Sequence, residues 1–164
     1  MRPAIKSLAV GAILALSLST VAMAGPLDDA QAAINRGDAV TAVNIYLPMA
    51  EQGNATAQWF LGMVYQRGGG GVAQDYGQAV HWFERASRQG LVFAQVKLSQ
   101  FYAAGAGVPQ DRVQAYMWLT IAQAANADLK DMILASRTPI ADQLTAAEIA
   151  EGERRAREFR PQPE

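Results

Sequence analysis

One stretch of this chain recurs at a spacing of 36 to 37 residues. Three aligned pairs lie 37 residues apart, namely Ala57 and Ala94, Leu61 and Leu98, and Tyr65 and Tyr102. Five more pairs lie 36 residues apart: Val72 and Val108, Asp75 and Asp111, Ala79 and Ala115, Trp82 and Trp118, and Ala86 and Ala122. The one-residue difference falls in a glycine-rich stretch, where a loop tolerates an insertion. A fixed period of this length predicts stacked units that each bury an apolar face against their neighbours.

The repeat divides the chain into segments. Residues 38–53 match 75–90 at an offset of 37, which indicates half of a further unit upstream. The predicted organisation has six parts: a signal peptide at 1–24, a partial repeat at 25–53, a first repeat at 54–90, a second repeat at 91–126, capping helices at 127–160 and a disordered tail at 161–164.

Each unit is predicted to contain two antiparallel helices. In the first repeat, apolar residues at helical spacing are followed by Gly68–Gly71, which ends the first helix. Asp75 and Asp111 then precede glutamine by three residues, a capping-box pattern that opens the second helix. Alanines alternate with large aromatic residues on the second helix, which allows close packing between helices. The predicted fold is therefore an all-α solenoid of helix pairs.

The C-terminal segment departs from the repeat. Residues 128–144 are predicted to form a helix that Pro139 kinks or interrupts near residues 137–138. Thr145 and Glu148 form another capping-box pattern, which opens a charged helix over residues 146–159. This helix is suited to be the polar cap that a solenoid needs at its end.

The N-terminus carries the pattern of a secretory signal. Arg2 and Lys6 precede an uncharged apolar run from Leu8 to Val21, and Ala22-Met23-Ala24 supplies small residues for cleavage. The alternative is an uncleaved membrane anchor, for which the apolar run is short. Cleavage near Ala24 would leave 12 basic against 15 acidic residues, a balance that argues against nucleic-acid binding. The expected location is the periplasm or the exterior, with no stable membrane insertion after cleavage.

Cysteine is absent, so stability without disulfides must come from packing, and thiol nucleophiles, thiolate metal sites and lipid-modified cysteines are excluded. His81 is the one histidine and is expected at the surface. Gly68–Gly71 lacks the lysine of a phosphate-binding loop and is interpreted as a turn. Asp28-Asp29 is interpreted as a helix cap and not as a calcium site. No cofactor, metal or catalytic residue is predicted.

The motif resembles the Sel1-like repeats, which are relatives of the tetratricopeptide repeats. The resemblance rests on Ala57-Gln-x-x-Leu61-Gly62-x-x-Tyr65-x-x-Gly68, on Gly71-Val72-x-x-Asp75 and on Ala79-x-x-Trp82-Phe83. It covers residues 38–126 well and residues 26–37 weakly. Ser99 departs from the glycine at position 62, and Ala73 from the proline at position 109. The resemblance implies a right-handed solenoid and an exported adaptor that binds another protein, in the cell envelope if bacterial.

By analogy with tetratricopeptide repeats, the first helix of each unit lines the concave face. The predicted protein-binding residues are Trp59, Met63, Gln66, Arg67, Phe93, Val96 and Gln100. Exposed aromatic and methionine side chains in a groove are typical of binding surfaces. The alternative is that the helix after Asn126 folds back and covers them as core. Two other functions stay open: a cell-wall-directed hydrolase or ligand-binding protein, which would need a polar pocket, and a self-assembling structural protein.

Overall fold

Eight helices follow one another along residues 25–164, the range that this computed structural model describes, and no strand lies within it. Their bounds are α1 Pro26–Asn35, α2 Ala39–Glu51, α3 Ala55–Arg67, α4 Tyr76–Arg88, α5 Val92–Ala104, α6 Arg112–Ala125, α7 Lys130–Ala141 and α8 Ala146–Glu158. Each helix from α1 to α6 packs on the next, and α8 returns to α6. The predicted all-helical solenoid is confirmed, with α3–α4 and α5–α6 as its two complete repeats.

The second helix of each unit begins at an aspartate. The carboxylates of Asp38, Asp75 and Asp111 accept hydrogen bonds from the backbone N–H three residues later, at 3.0, 2.9 and 2.8 Å. These bonds satisfy amides that have no partner inside the helix. The aspartate half of the predicted capping boxes of α4 and α6 is confirmed. The reciprocal half is not formed, because the N–H groups of Asp75 and Asp111 donate to the carbonyls of Tyr65 and Tyr102.

Glycines permit two features of the first repeat. Gly68–Gly71 all have positive φ angles, between 58° and 87°, which side chains with a Cβ rarely adopt. At Gly62 the reason is space, because a Cβ there would lie 2.5 Å from the buried ring of Phe83. The glycine loop is therefore a turn, as predicted, and Gly62 lets α3 approach α4 closely.

The C-terminal helices cover different parts of the second repeat. Ile133 of α7 is fully buried against a cluster that includes Val96 of α5 and Leu119 of α6. α8 packs on α6 at Gly152, where a Cβ would lie 2.9 Å from the Tyr116 ring. α7 and α8 thus shield the second repeat on two sides.

Two C-terminal predictions concern helix ends. The helix predicted for 128–144 runs from Lys130 to Ala141 and passes through Pro139. Of the two outcomes predicted near 137–138, a kink or an interruption, the interruption is wrong. Pro139 stands in the last turn, where its missing N–H removes a single backbone hydrogen bond. The Thr145 capping box is confirmed in both directions: the Thr145 N–H donates to Glu148 at 2.8 Å and the Glu148 N–H to Thr145 Oγ1 at 3.3 Å.

The segment after α8, predicted as a disordered tail, contacts the repeats. The Gln162 N–H donates to the Arg88 carbonyl at 2.8 Å, and the Glu164 carboxylate contacts Arg85 and Gln58. All three partners are far away in sequence, so composition alone could not indicate these contacts.

The predicted signal peptide, residues 1–24, lies outside the described residues. Among residues 25–164 no helix has the length and apolar character to cross a membrane.

Candidate functional site

A groove of about 570 Å³ runs beside α3, which forms its floor. α1 provides one wall through Gln31 and Ile34, and the turn between α1 and α2 continues that wall. The glycine loop closes one end, because Gly70 packs directly on Gly37 and Ala39 and its carbonyl accepts the Val40 N–H at 3.3 Å. The N-terminal partial repeat and the first repeat therefore build the groove together.

Aromatic rings form much of the floor. The ring of Trp59 lies 5.3 Å from Phe83 beneath it and 6.3 Å from Phe93 on the next unit. The Tyr46 ring stacks on Phe60 at 5.2 Å, nearly parallel. Phe93 is 52% exposed, and Trp59 is half-buried. Rings fixed in this way present apolar area at little entropic cost, a property of binding surfaces.

Two polar atoms of the lining have no partner in the described protein. The Tyr46 hydroxyl is fully buried and makes no hydrogen bond, and Gln66 Oε1 is buried and unpaired as well. Burial also raises the pKa of Tyr46. A buried hydroxyl without a partner costs about 1–3 kcal/mol. Both atoms are closed to solvent, so a ligand in the groove would bond to them only after lining side chains move aside.

Tyr46 is an exception among the repeat positions. One repeat further along, its place is taken by Phe83, and one repeat beyond that by Leu119; all three side chains are fully buried. The solenoid therefore does not need a hydroxyl at this position for its own packing. The hydroxyl is specific to the unit that forms the groove.

The structure brings together four of the seven predicted site residues. Trp59, Met63, Gln66 and Arg67 all line the groove. Phe93 extends the apolar surface beyond it through its contact with Trp59.

The other two predicted site residues lie outside the groove. Val96 is 8% exposed and packs with Ile133 of α7, so its place in an exposed patch is wrong: the returning helix covers it, as the alternative proposed. Gln100 is exposed and does not line the groove.

Sequence reasoning missed the opposite side of the groove. Tyr46, Phe60 and Ile34 line it, but their apolar spacing is that of ordinary core residues. The one available signal was the tyrosine at a repeat position that otherwise holds Phe83 or Leu119. The wall formed by α1 follows from tertiary packing, which no local pattern encodes.

Titratable side chains are few in and around the groove, among residues 25–164. No group of three or more His, Asp or Glu side chains within that range could hold a metal ion. His81 is exposed and lies edge-on to Trp82, with ring centroids 4.9 Å apart. The groove lining contains no carboxylate, serine or histidine.

Comparisons with known proteins agree with this architecture. The profile of the Sel1 repeat matches residues 55–91 and 92–126, which are α3–α4 and α5–α6. A Sel1 repeat protein from Oxalobacter formigenes, of known structure, is 30% identical; the similarity covers 67% of this chain and 86% of that one, with a TM-score of 0.57. The chain belongs to the Sel1 repeat family. Sel1 repeats mediate protein–protein interactions.

Two larger proteins share the repeats. A protective antigen of uropathogenic Escherichia coli with an SLR fold superposes on 82% of this chain, with a TM-score of 0.72 and 30% identity. The ERAD-associated E3 ubiquitin-protein ligase component HRD3A of Arabidopsis thaliana is 35% identical over 73 residues, or 44% of this chain. This Sel1 repeat chain spans 30% of the antigen and 11% of the ligase component.

Proposed function

We propose that this Sel1 repeat protein is an exported, non-catalytic adaptor of the cell envelope that holds a partner protein in the groove beside α3. The observation that carries the proposal is a groove with an aromatic floor and two unpaired buried polar atoms, Tyr46 Oη and Gln66 Oε1. Such a lining suits an extended polypeptide segment that offers an apolar side chain to Trp59 and Met63. Its backbone N–H and C=O groups would bond to the two polar atoms once lining side chains move aside.

The absence of carboxylates and serines from the lining favours binding over the alternative of a cell-wall-directed hydrolase. Arg67 is exposed at the rim, beside the glycine loop. A cation at the rim favours a partner with an acidic residue beside its apolar anchor, because complementary charge speeds association and fixes register. The likeness to a ubiquitin-ligase component is consistent with an adaptor role.

Export is part of the proposal and rests on the pattern of residues 1–24. Mass spectrometry of the protein recovered from the cell envelope tests it directly. Cleavage after Ala24 predicts a mature chain that begins at Gly25. An intact N-terminus in the membrane fraction would indicate the anchor instead.

Photo-crosslinking in the native cell tests the groove. A photoreactive residue at Trp59 is expected to capture a discrete partner, whereas the same residue at His81, which is exposed on α4, captures none. A crosslink between two copies of the chain would support self-assembly instead. A folded and exported Trp59 variant without any adduct would contradict binding in the groove.

A further inference from the structure

The segment 160–164 lies across the turns that connect successive repeats. Gly53 and Gly90 occupy the same turn position 37 residues apart, with φ angles of 88° and 94°. A Cβ built at Gly90 would lie 4.0 Å from Pro161, and one built at Gly53 would lie 2.9 Å from Glu164. Three extended residues span about 9–10 Å, which is about the distance between neighbouring packed helices. The segment therefore follows the spacing of the solenoid.

A polar site receives the Glu164 carboxylate at the end of this path. Arg85 Nε donates to both carboxylate oxygens at 3.0 Å, and a second guanidinium nitrogen of Arg85 contacts Oε2. Gln58 Nε2 donates to Oε2 at 2.9 Å. The guanidinium carbon of Arg85 lies 5.0 Å from the centroid of the Trp82 ring, which supports it from below. Planar guanidinium groups held in this way recognise carboxylates specifically.

Two contacts within the repeats orient the Gln58 side chain. Its Nε2 also donates to the Ala50 carbonyl at 3.0 Å, and its Oε1 accepts from Gln89 Nε2 at 2.8 Å. One amide hydrogen therefore remains to point at Glu164. We call the set Gly53, Gln58, Arg85, Gln89 and Gly90 the Arg85 site.

The second repeat keeps the framework of this site without its charge. Gln95 replaces Gln58 and makes the equivalent bond to the Ser87 carbonyl at 3.1 Å. Ile121 stands at the position of Arg85, and Ala125 at that of Gln89. The buried Gln95 Oε1 is left without a partner. The repeat thus folds without a carboxylate site, so the site in the first repeat is an addition to the scaffold.

Residues 160–164, which occupy the Arg85 site in this structure, are held weakly. Residues 161–164 are exposed, and the prolines at 161 and 163 have no N–H, so the Gln162 N–H makes the main-chain bond described above. Partly exposed ion pairs contribute about 0–1 kcal/mol. The segment stays in place because it is covalently tethered to the repeats, which gives it an effective concentration in the millimolar range at the site.

We propose that the Arg85 site is a second protein-binding site, which takes an extended proline-containing segment with a Glu or Asp side chain from a partner protein. Residues 160–164 occupy it in cis and compete with that partner. The charge of Arg85 and the oriented amide of Gln58 select a carboxylate. The bound segment shows that an extended, proline-containing chain fits. This site is separate from the groove beside α3.

Peptide binding to the full chain tests the proposal. The probe is a fluorescein-labelled, amidated peptide with the sequence of residues 159–164, and its affinity is measured by fluorescence anisotropy. Glu164→Gln weakens the binding of residues 160–164 to their own site. With about four fifths of the wild-type sites occupied by these residues, the variant should bind the peptide about fivefold more tightly than the wild type. Arg85→Gln in the same background should abolish binding, and a peptide with Gln in place of its Glu should not bind.

Matched controls separate recognition from folding. Arg36→Gln removes an exposed arginine at the end of α1, away from the Arg85 site, and should leave the peptide affinity unchanged. Where Arg85→Gln lowers the melting temperature, Arg85→Lys keeps the charge and should show intermediate affinity. Equal affinity of the wild type and Glu164→Gln would overturn the competition in cis, and equal binding of the Glu and Gln peptides would overturn carboxylate recognition.

Discussion

The two complete repeats share one frame but differ in what surrounds them. Equivalent residues have the same role in each: Leu61 and Leu98 are core residues, Gln58 and Gln95 make a buried side-chain bond to a carbonyl, and Asp75 and Asp111 cap helices. One face of α3 stays open as the groove, whereas α7 covers Val96 on α5. A repeated sequence therefore sets the scaffold, and the segments on either side of it decide which unit can bind.

The largest expected effect tests the shared frame. Leu61→Ala and Leu98→Ala each remove a fully buried side chain from the same repeat position. Each should lower the free energy of unfolding by about 2–5 kcal/mol, through lost apolar burial and the cavity that remains. Chemical denaturation measures both. A loss below about 1 kcal/mol at either position would show that the two units are not equivalent scaffolds.

The next prediction concerns Gly62 and Ser99, which occupy the same position of the two repeats but differ in size. Gly62→Ala puts a Cβ against the Phe83 ring and should cost about 1–3 kcal/mol through overpacking. Ser99→Ala at the equivalent position keeps the Cβ and loses the bond from Ser99 Oγ to the Val96 carbonyl, 2.7 Å long. Its cost should be smaller, about 1 kcal/mol. The reverse order of the two costs, measured by thermal denaturation, would contradict the close approach of α3 and α4.

Tyr46 and Phe83 provide a reciprocal pair. Tyr46→Phe removes an unpaired buried hydroxyl and should raise the free energy of unfolding by about 1 kcal/mol, while it weakens partner capture from the groove. Phe83→Tyr buries a new unpaired hydroxyl and should destabilise the protein. Denaturation together with crosslinking from Trp59 separates the two effects of Tyr46→Phe. A destabilised Tyr46→Phe would mean that the hydroxyl is already satisfied in the free protein.

The smallest expected effect is the loss of the Glu164 contact at low pH. Hydrogen bonds from Arg85 hold the pKa of Glu164 below its ordinary value of 4.5, with burial opposing and Arg88 and Gln58 assisting. A lowered folded-state pKa means that the stabilisation is complete above pH 4.5 and is lost as the pH falls through the folded value. The Gln58 side-chain amide resonance should shift over that acidic range in NMR spectra, and that of Gln95 should not. The same pH dependence of the two amide resonances would show that Glu164 does not contact Gln58.

Local signals in the sequence predicted most of the scaffold. The repeat spacing, the aspartate caps at Asp75 and Asp111 and the Thr145 capping box each depend on residues a few positions apart. Four groove residues followed from their position on α3. Val96 was misplaced because its burial depends on Ile133 of α7, and the Glu164 contact was missed because Arg85 lies 79 residues away. Tyr46 escaped notice because its spacing is that of a core residue.

Crosslinking from Met63 and Gln100 tests the central claim most directly, because the two residues occupy the same position of successive repeats. Met63 lines the open groove, and Gln100 stands on the helix that α7 partly covers. The account predicts that a photoreactive residue at Met63 captures a partner protein in the native cell and that one at Gln100 does not. Capture from Gln100 alone, with both variants folded, would show that the binding surface lies on the second repeat.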